Sequence, residues 1–358
     1  MPELDRLPPV HRRTLRRVMV VSQLCLAVVT AVVVAIGYQH LNGNIADGED
    51  IEHVAEQGPD GPLNILVMGS DSRGKGSSGR SDTTILVHVS ADRKDAYGVS
   101  LPRYAIVDRP DCRVGGETVP GEDAVMFNTA FSVGGAQCTI QTVEALTGVY
   151  VHHFVTLDFD GFKDMVDAVG GVEMCLPEAV DDDEHDIHLD AGTQVLKGQD
   201  ALNYVRERYV LSSNGDLGRM TRQQAFLASL VRKVMSAGTL SQPDKLYSFL
   251  DAATGSISVD EELDSVGSLA GLLSQFRDTG LAHIRFVTVP VEAYEPDPNR
   301  LAWAAEAEEL WQRIQDDEPL GKDLAADSVG ADQAPGSAQH NGGSSGNDKE
   351  RADAGLCG

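Results

Sequence analysis

The sequence predicts an α/β fold, with helices packed on a central β-sheet, preceded by one membrane-spanning helix. Three observations carry that prediction. Short continuous apolar runs that end at Gly or at a charged residue read as buried strands. They alternate with segments whose apolar residues recur at helical spacing, the order expected when helices cover a sheet. An uncharged stretch from Val18 to Tyr38 matches the roughly 20 residues that a bilayer requires.

Taken in order, residues 1–17 hold Arg6, Arg12, Arg13, Arg16 and Arg17, and no arginine directly follows the apolar run. Positive charge on that side predicts a cytoplasmic N-terminus and an extracytoplasmic remainder, a single-pass protein of the cell membrane. A cleaved signal peptide is the competing reading; its apolar region is normally about 7–15 residues long, and Gly37–Tyr38–Gln39–His40 is a poor cleavage site. Residues 39–61 are polar, acidic and Gly-containing, which reads as a linker, and the folded domain is expected over 62–318. LNILVMG, TTILVHVS and AYGVSLP are its first strands, with AIVDRP as a further one. A helix over TIQTVEALTG stops at Gly148. The strand HHFVTLDF, the helix GFKDMVDAVGG and the strand VEMCLP follow, then an acidic loop at 181–186. KGQDALNYVRERY and RQQAFLASLVRKVMSAG are helical, as are segments from about 243 and 260. A strand HIRFVTVPV and an amphipathic helix NRLAWAAEAEELWQRI close the domain. Residues 319–358 are rich in Gly, Ser, Ala and Asp and predict a disordered tail.

The balance of 29 basic against 55 acidic residues excludes nucleic acid as a partner, because phosphate backbones need basic surface. No two of the five cysteines have CxxC spacing. Cys112 and Cys138 flank a polar, Gly-rich stretch, and a bridge between them would staple a long loop in an oxidising compartment. Cys175 lies in an apolar strand, where an unpaired core thiol is the default; Cys25 is in the membrane segment and Cys357 in the tail.

Charged residues gather where elements end. The first strand runs into Gly69–Ser70–Asp71–Ser72–Arg73, and Arg80–Ser81–Asp82–Thr83 opens the next. Ligand-binding groups favour loops held by a rigid scaffold. Glycines in GKGSSG suit either close backbone approach to a phosphate or a plain loop tip. Aspartates at 71 and 82 offer hard oxygen ligands for Mg²⁺, and serve equally well as turn and capping residues. Another strand ends at Arg103. Beyond Arg206 and Arg208 comes Gly215–Asp216–Leu217–Gly218–Arg219–Met220–Thr221–Arg222–Gln223, where Arg219, Arg222 and Gln223 share a helix face. Arginine's planar fork suits phosphate, although each of these alone is also explained as a solvated surface charge. The residues by themselves indicate an anion site.

The motifs NILVMGSDSR, RSDTTILVHVSADRK, VSLPR, NTAFSVGGAQCTIQTVEALTG, HHFVTLDFDGFKDMVDAVGGVEMCLP, KGQDALNYVRERY and GDLGRMTRQQAF, from about Leu63 to about Ala237, resemble the LytR-CpsA-Psr family of cell-wall glycopolymer transferases. The resemblance implies a three-layer domain with a central mixed β-sheet flanked by helices. It implies transfer of a glycopolymer from a polyprenyl-pyrophosphate carrier to peptidoglycan as a phosphodiester, outside the cytoplasmic membrane. By motif, Arg80, Asp82 and Arg103 would be catalytic and Asp71 and Asp82 would hold Mg²⁺ or a similar divalent cation. Arg73, Arg103, Arg206, Arg208, Arg219 and Arg222, with Asp216 and Gln223, would bind pyrophosphate, and the lipid would fill an apolar pocket between sheet and helices. The chain departs from the pattern at Tyr104, where an aspartate usually follows the arginine, and at Met126, often a basic position. Residues around these departures suggest a subfamily in which Cys112 and Cys138 pair. A non-catalytic polyprenyl-phosphate-binding envelope protein or regulator, and a polyprenyl-pyrophosphate pyrophosphatase, are the alternatives.

Overall fold

The computed structural model describes residues 9–45, 48–58, 61–71, 79, 81–183, 187–207, 215–235, 242–335, 354, 356 and 357. The chain forms two compact units, Met1–Asn44 and Ile45–Gly358. The first is a single helix, α1 (Pro9–Asn44). Its apolar part, Arg17–Asn44, reaches a mean hydropathy of 2.6. At about 1.5 Å per residue it is long enough to cross a hydrocarbon layer of about 30 Å. The helix runs on through residues 39–44, which the polar composition had placed in the linker.

The second unit is built on a seven-stranded sheet: β1 (Leu63–Ser70), β2 (Ser81–Val89), β3 (Ala96–Leu101), β4 (His153–Asp158), β5 (Ile257–Val259), β6 (Ile284–Thr288) and β7 (Val329–Gly330), in the spatial order β5-β4-β1-β2-β3-β6-β7. β1 pairs in parallel with β4 and β3 with β6, while the other neighbours are antiparallel, so the sheet is mixed. Around it lie α2 (Thr129–Thr147), α3 (Phe159–Ala168), α4 (Gly198–Arg206), α5 (Asp216–Met235), α6 (Pro243–Thr254), α7 (Val266–Ser274), α8 (Glu306–Gln315) and the short α9 (Lys322–Ala326).

The period of two along β1 explains the layers. Leu66 and Met68 join Leu86 and Val99 on one face, under Ile140 and Val143 of α2 and Leu310, Trp311 and Ile314 of α8. Ile65 and Val67 join Val87 and Phe286 on the other, under Leu227, Ala228 and Val231 of α5. Both faces are covered, which is why the strand reads as an unbroken apolar run. α2 ends where expected, with Gly148 in the left-handed conformation at φ 65°.

Four expectations are corrected. NRLAW is not helical: Asp297–Trp303 is a strand paired with Val291–Tyr294, and the helix starts at Glu306. The segment from 260 is a 3-10 turn, Glu261–Leu263, before α7 begins at Val266. The domain does not stop at 318, since β7 adds to β6 through Phe286↔Val329 and Arg285↔Gly330. Cys175 is not a free thiol; it is bridged to Cys357, and the tail residues Ala354 and Leu356 are buried beside Met174, Leu176, Tyr204 and Phe226.

The stretch taken as linker also packs on the domain from Glu49. Its backbone N–H donates to the Val259 carbonyl at 3.1 Å, and its carbonyl accepts from Glu261 at 3.2 Å. The buried Glu144 carboxylate then accepts from the backbone N–H groups of Val54 (2.7 Å), Ala55 (3.1 Å) and Val151 (3.1 Å), and lies 2.7 Å from His53 Nδ1. An orphaned buried donor costs about 1–3 kcal/mol. Glu144→Ala is therefore expected to destabilise the domain by about 3 kcal/mol, read from the urea midpoint, and Glu144→Gln by less.

Near the same end of β1, His152 Nδ1 accepts from the Asn64 backbone N–H at 3.1 Å, which only an unprotonated nitrogen can do. Burial, helped by the neighbouring His153 and His53, lowers its pKa to about 4. Burial likewise lowers that of His88, against the opposing pull of Asp317. As pH falls below the ordinary histidine value of about 6.5, the unfolded chain takes up these protons first. Stability is full above that pH and is lost progressively toward pH 4. His152→Asn, whose amide oxygen can replace Nδ1 as acceptor, is expected to flatten the drop in urea midpoint between pH 7 and 4.5.

Candidate functional site

The carboxyl ends of β1, β3 and β4 and the start of β2 meet at one rim of the sheet. Ser70 pairs with Ser81 on one side and with Asp158 on the other, and Leu101 is opposite Thr84. This register sets Asp71, Asp82, Arg103 and Asp158 at or just beyond neighbouring strand ends. The carboxyl ends of sheet strands are where open α/β folds place ligands. Asp216 and Arg219 come from the first turn of α5, and Arg206 is the last residue of α4.

Arg103 is 3% exposed and Arg219 only 1%. Arg103 donates through Nη1 to Asp82 Oδ1 and through Nη2 to Asp216 Oδ1 at 3.4 Å. Arg219 Nη2 holds the same Asp216 oxygen at 2.8 Å, and its Nη1 reaches the Asp82 carbonyl at 3.4 Å. Two buried guanidiniums are thus interlocked with two carboxylates that remain partly exposed. Arg103 Nε has no acceptor among the described residues. The Arg103 guanidinium lies 4.3 Å from the centre of the Tyr104 ring. Charged donors held in low dielectric act far more strongly on an arriving anion than donors in water.

Beside this cluster, a cavity of about 110 Å³ opens between β1, β2 and β4 and the helices α3, α4 and α5. Val67, Met68, Ile85, Leu157, Phe162 and Phe226 give it an apolar wall, and Asp82, Thr83, Asp158, Arg206 and Gln223 add polar groups. An apolar wall with a few polar groups is the usual lining of a small-molecule site.

The structure brings together Asp82, Arg103, Asp216 and Arg219 from three separate stretches of sequence. Arg206 lies over the Phe159 ring at 4.5 Å, and Gln223 donates to the Val205 carbonyl at 2.9 Å. Asp71 is exposed at the end of β1. Arg73, Arg80 and Arg208 lie outside the described residues. Arg222 shares a helix face with Arg219, but is fully buried and turned to Glu207 and to the Ala354 carbonyl at 3.1 Å. Burial lowers its pKa. The Cys112–Cys138 bridge is formed, joining residues 26 apart.

Sequence reasoning missed Asp158 and the phenylalanines beside it. Asp158 is the N-cap of α3, its Oδ1 accepting from Gly161 N at 2.7 Å. Gly161 has no room for a Cβ, which would lie 1.8 Å from Ser256 Cβ. The signal was legible as an aspartate ending a strand, three residues before a glycine.

Comparison with known proteins agrees with this architecture. Over 288 residues the chain is 32% identical to the cell wall biosynthesis protein LcpA of Corynebacterium glutamicum, covering 71% of this chain and 54% of that one. It is 35% identical over 191 residues to TagV of Bacillus subtilis, a polyisoprenyl-teichoic acid–peptidoglycan teichoic acid transferase, covering 52% and 47%. The chain thus spans about half the length of these curated relatives. A solved structure of TagT bound to LI-WTA superposes with a TM-score of 0.55 at 25% identity, covering 76% of this chain and 98% of that one. The model of the LytR_cpsA_psr family matches residues 31–316. With most of its length matched and the sheet, helices and charged rim in place, the chain belongs to the LytR-CpsA-Psr family.

Proposed function

We propose that this protein is a phosphotransferase that moves a glycopolymer from a polyprenyl-pyrophosphate carrier to a peptidoglycan hydroxyl, forming a phosphodiester. The observation that carries the reading is the pairing of Arg103 and Arg219 with Asp82 and Asp216 beside an apolar cavity. That juxtaposition suits a lipid with a doubly phosphorylated head. Phosphoryl transfer depends mainly on positioning and on stabilising charge at phosphate oxygens, which arginine forks supply. The teichoic acid transferase activity named for TagV supports the same chemistry.

Asp71 and Asp82 would hold a divalent cation such as Mg²⁺. The donor set fits: Asp82 is 17% exposed at the start of β2, and Asp71 is exposed at the adjoining end of β1. Mg²⁺ typically takes one or two carboxylates together with substrate phosphates. The bound cation would neutralise charge on the pyrophosphate. Arg73, Arg80, Arg206 and Arg208 complete the proposed anion site, and the arginines ahead of the apolar run that begins at Val18 would orient the domain outside the cytoplasmic membrane. Beside Met126, Arg300 Nη1 lies 3.4 Å from the methionine sulfur.

The test combines the protein with Mg²⁺, a short polyprenyl-pyrophosphate glycan and peptidoglycan oligomers. Polymer attached to peptidoglycan is the expected product. Free phosphorylated glycan alone would replace the proposal with a pyrophosphatase, and tight lipid binding without turnover with a binding protein or regulator. Asp82→Ala is expected to abolish turnover, about 10³-fold or more, since charge-stabilising groups are worth that much. Near-normal transfer by this variant would remove Asp82 from the site.

A further inference from the structure

We propose that Asp158 is the base that takes the proton from the attacking hydroxyl, an inference that rests on the transferase reading above. Three observations lead to it. Asp158 lines the cavity together with Asp82, Arg206 and Gln223, at the end of the strand next to β1. The other carboxylates of the cluster are committed to arginines: Asp82 to Arg103, and Asp216 to both Arg103 and Arg219. Asp158 has no cationic partner among the described residues; the nearby Arg206 guanidinium lies instead over the Phe159 ring. Its Oδ1 is fixed by the Gly161 N–H at 2.7 Å, while Oδ2 has no hydrogen-bond partner among the described residues. One oxygen therefore holds the carboxylate in place and the other is available to accept a proton.

The step balances simply. The hydroxyl oxygen bonds to the phosphorus that carries the glycan, and the bond from that phosphorus to the bridging oxygen breaks. Polyprenyl phosphate leaves with the electron pair. The hydroxyl proton passes to Asp158 Oδ2 and then to water.

The competing explanation is that Asp158 only caps α3, and Asn separates the two because it caps as well as Asp but is not a base. The experiment uses the full chain in lipid nanodiscs with Mg²⁺, polyprenyl-pyrophosphate glycan and peptidoglycan oligomers. Asp158→Asn is expected to lower kcat by about 10²- to 10⁴-fold, with KM for the lipid and Tm unchanged. If that variant fails to fold, Asp158→Ser, also a good cap, must show the same loss of kcat. A kcat within about threefold of wild type leaves Asp158 a cap alone and overturns the proposal. Recovery of the Asn variant at raised Mg²⁺ also overturns it, since that marks a metal ligand. Absence of transfer by the wild type would sink the transferase reading itself, and this proposal with it.

Discussion

Arg103→Ala is expected to lower kcat/KM for transfer by about 10³- to 10⁵-fold, the range that a charge-stabilising arginine supplies in phosphoryl transfer. Arg103 touches both acids of the cluster, Asp82 and Asp216, and it is 3% exposed. Arg103→Lys should not recover the rate, because a point charge on a flexible stem cannot donate from two fork positions at once. Breaking a buried ion pair costs about 3–5 kcal/mol, so transfer must be read beside a thermal melt. The result that supports the assignment is a folded protein with no turnover. Near-normal transfer by the Ala variant would show that the fork serves the fold and not the chemistry.

The second large effect concerns the far end of the chain. Cys175 and Cys357 are 182 residues apart, and their bridge keeps Ala354 and Leu356 in the core. Chain-entropy reasoning assigns about 5 kcal/mol to closing so long a loop. A domain of this size loses about 2–4 °C per kcal/mol. Cys357→Ser is therefore expected to lower Tm by about 10 °C or more in calorimetry. Cys175→Ser should match it, and the double variant should fall no further. A shift below about 2 °C would mean that the tail does not brace the domain. Arg222 should respond as well, since the Ala354 carbonyl is one of its acceptors.

Much of this architecture was legible because apolar periodicity is a local signal. LNILVMG gave β1 at once, and Gly148 marked the end of α2, since burial on both faces and a left-handed cap each leave a trace in a few residues. NRLAW misled because Leu301, Ala302 and Trp303 suit a helix stripe as well as a strand. What decides there is pairing with Val291–Tyr294, a partner outside the segment. Val329–Gly330 and Cys357 were hidden for the same reason: a two-residue strand and a lone cysteine in polar sequence acquire meaning only from β6 and Cys175.

The site divides in the same way. Asp82, Arg103, Asp216 and Arg219 were named from motifs, and the fold brings them into one network. Arg222 was named with them by helical spacing, yet one further turn of α5 carries its fork away to Glu207 and Ala354. Sharing a helix face does not fix where a long side chain ends. Asp158 went unnoticed because an aspartate before a helix is so commonly a cap, which it is.

The tyrosine at position 104 has an electrostatic consequence. An acid at this position would add a third carboxylate to Asp82 and Asp216 around Arg103, whereas an aromatic ring 4.3 Å away orients the guanidinium through its quadrupole and adds no negative charge. The Arg103 and Arg219 guanidiniums are then a local, short-range attraction for an anion, at a rim that also holds Asp71, Asp82, Asp158 and Asp216 and in a molecule of net charge -26. Its pull reaches about one Debye length, roughly 8 Å at physiological ionic strength. A dianionic headgroup feels it only once near the rim, so added salt should slow capture of the lipid more than it slows the chemical step.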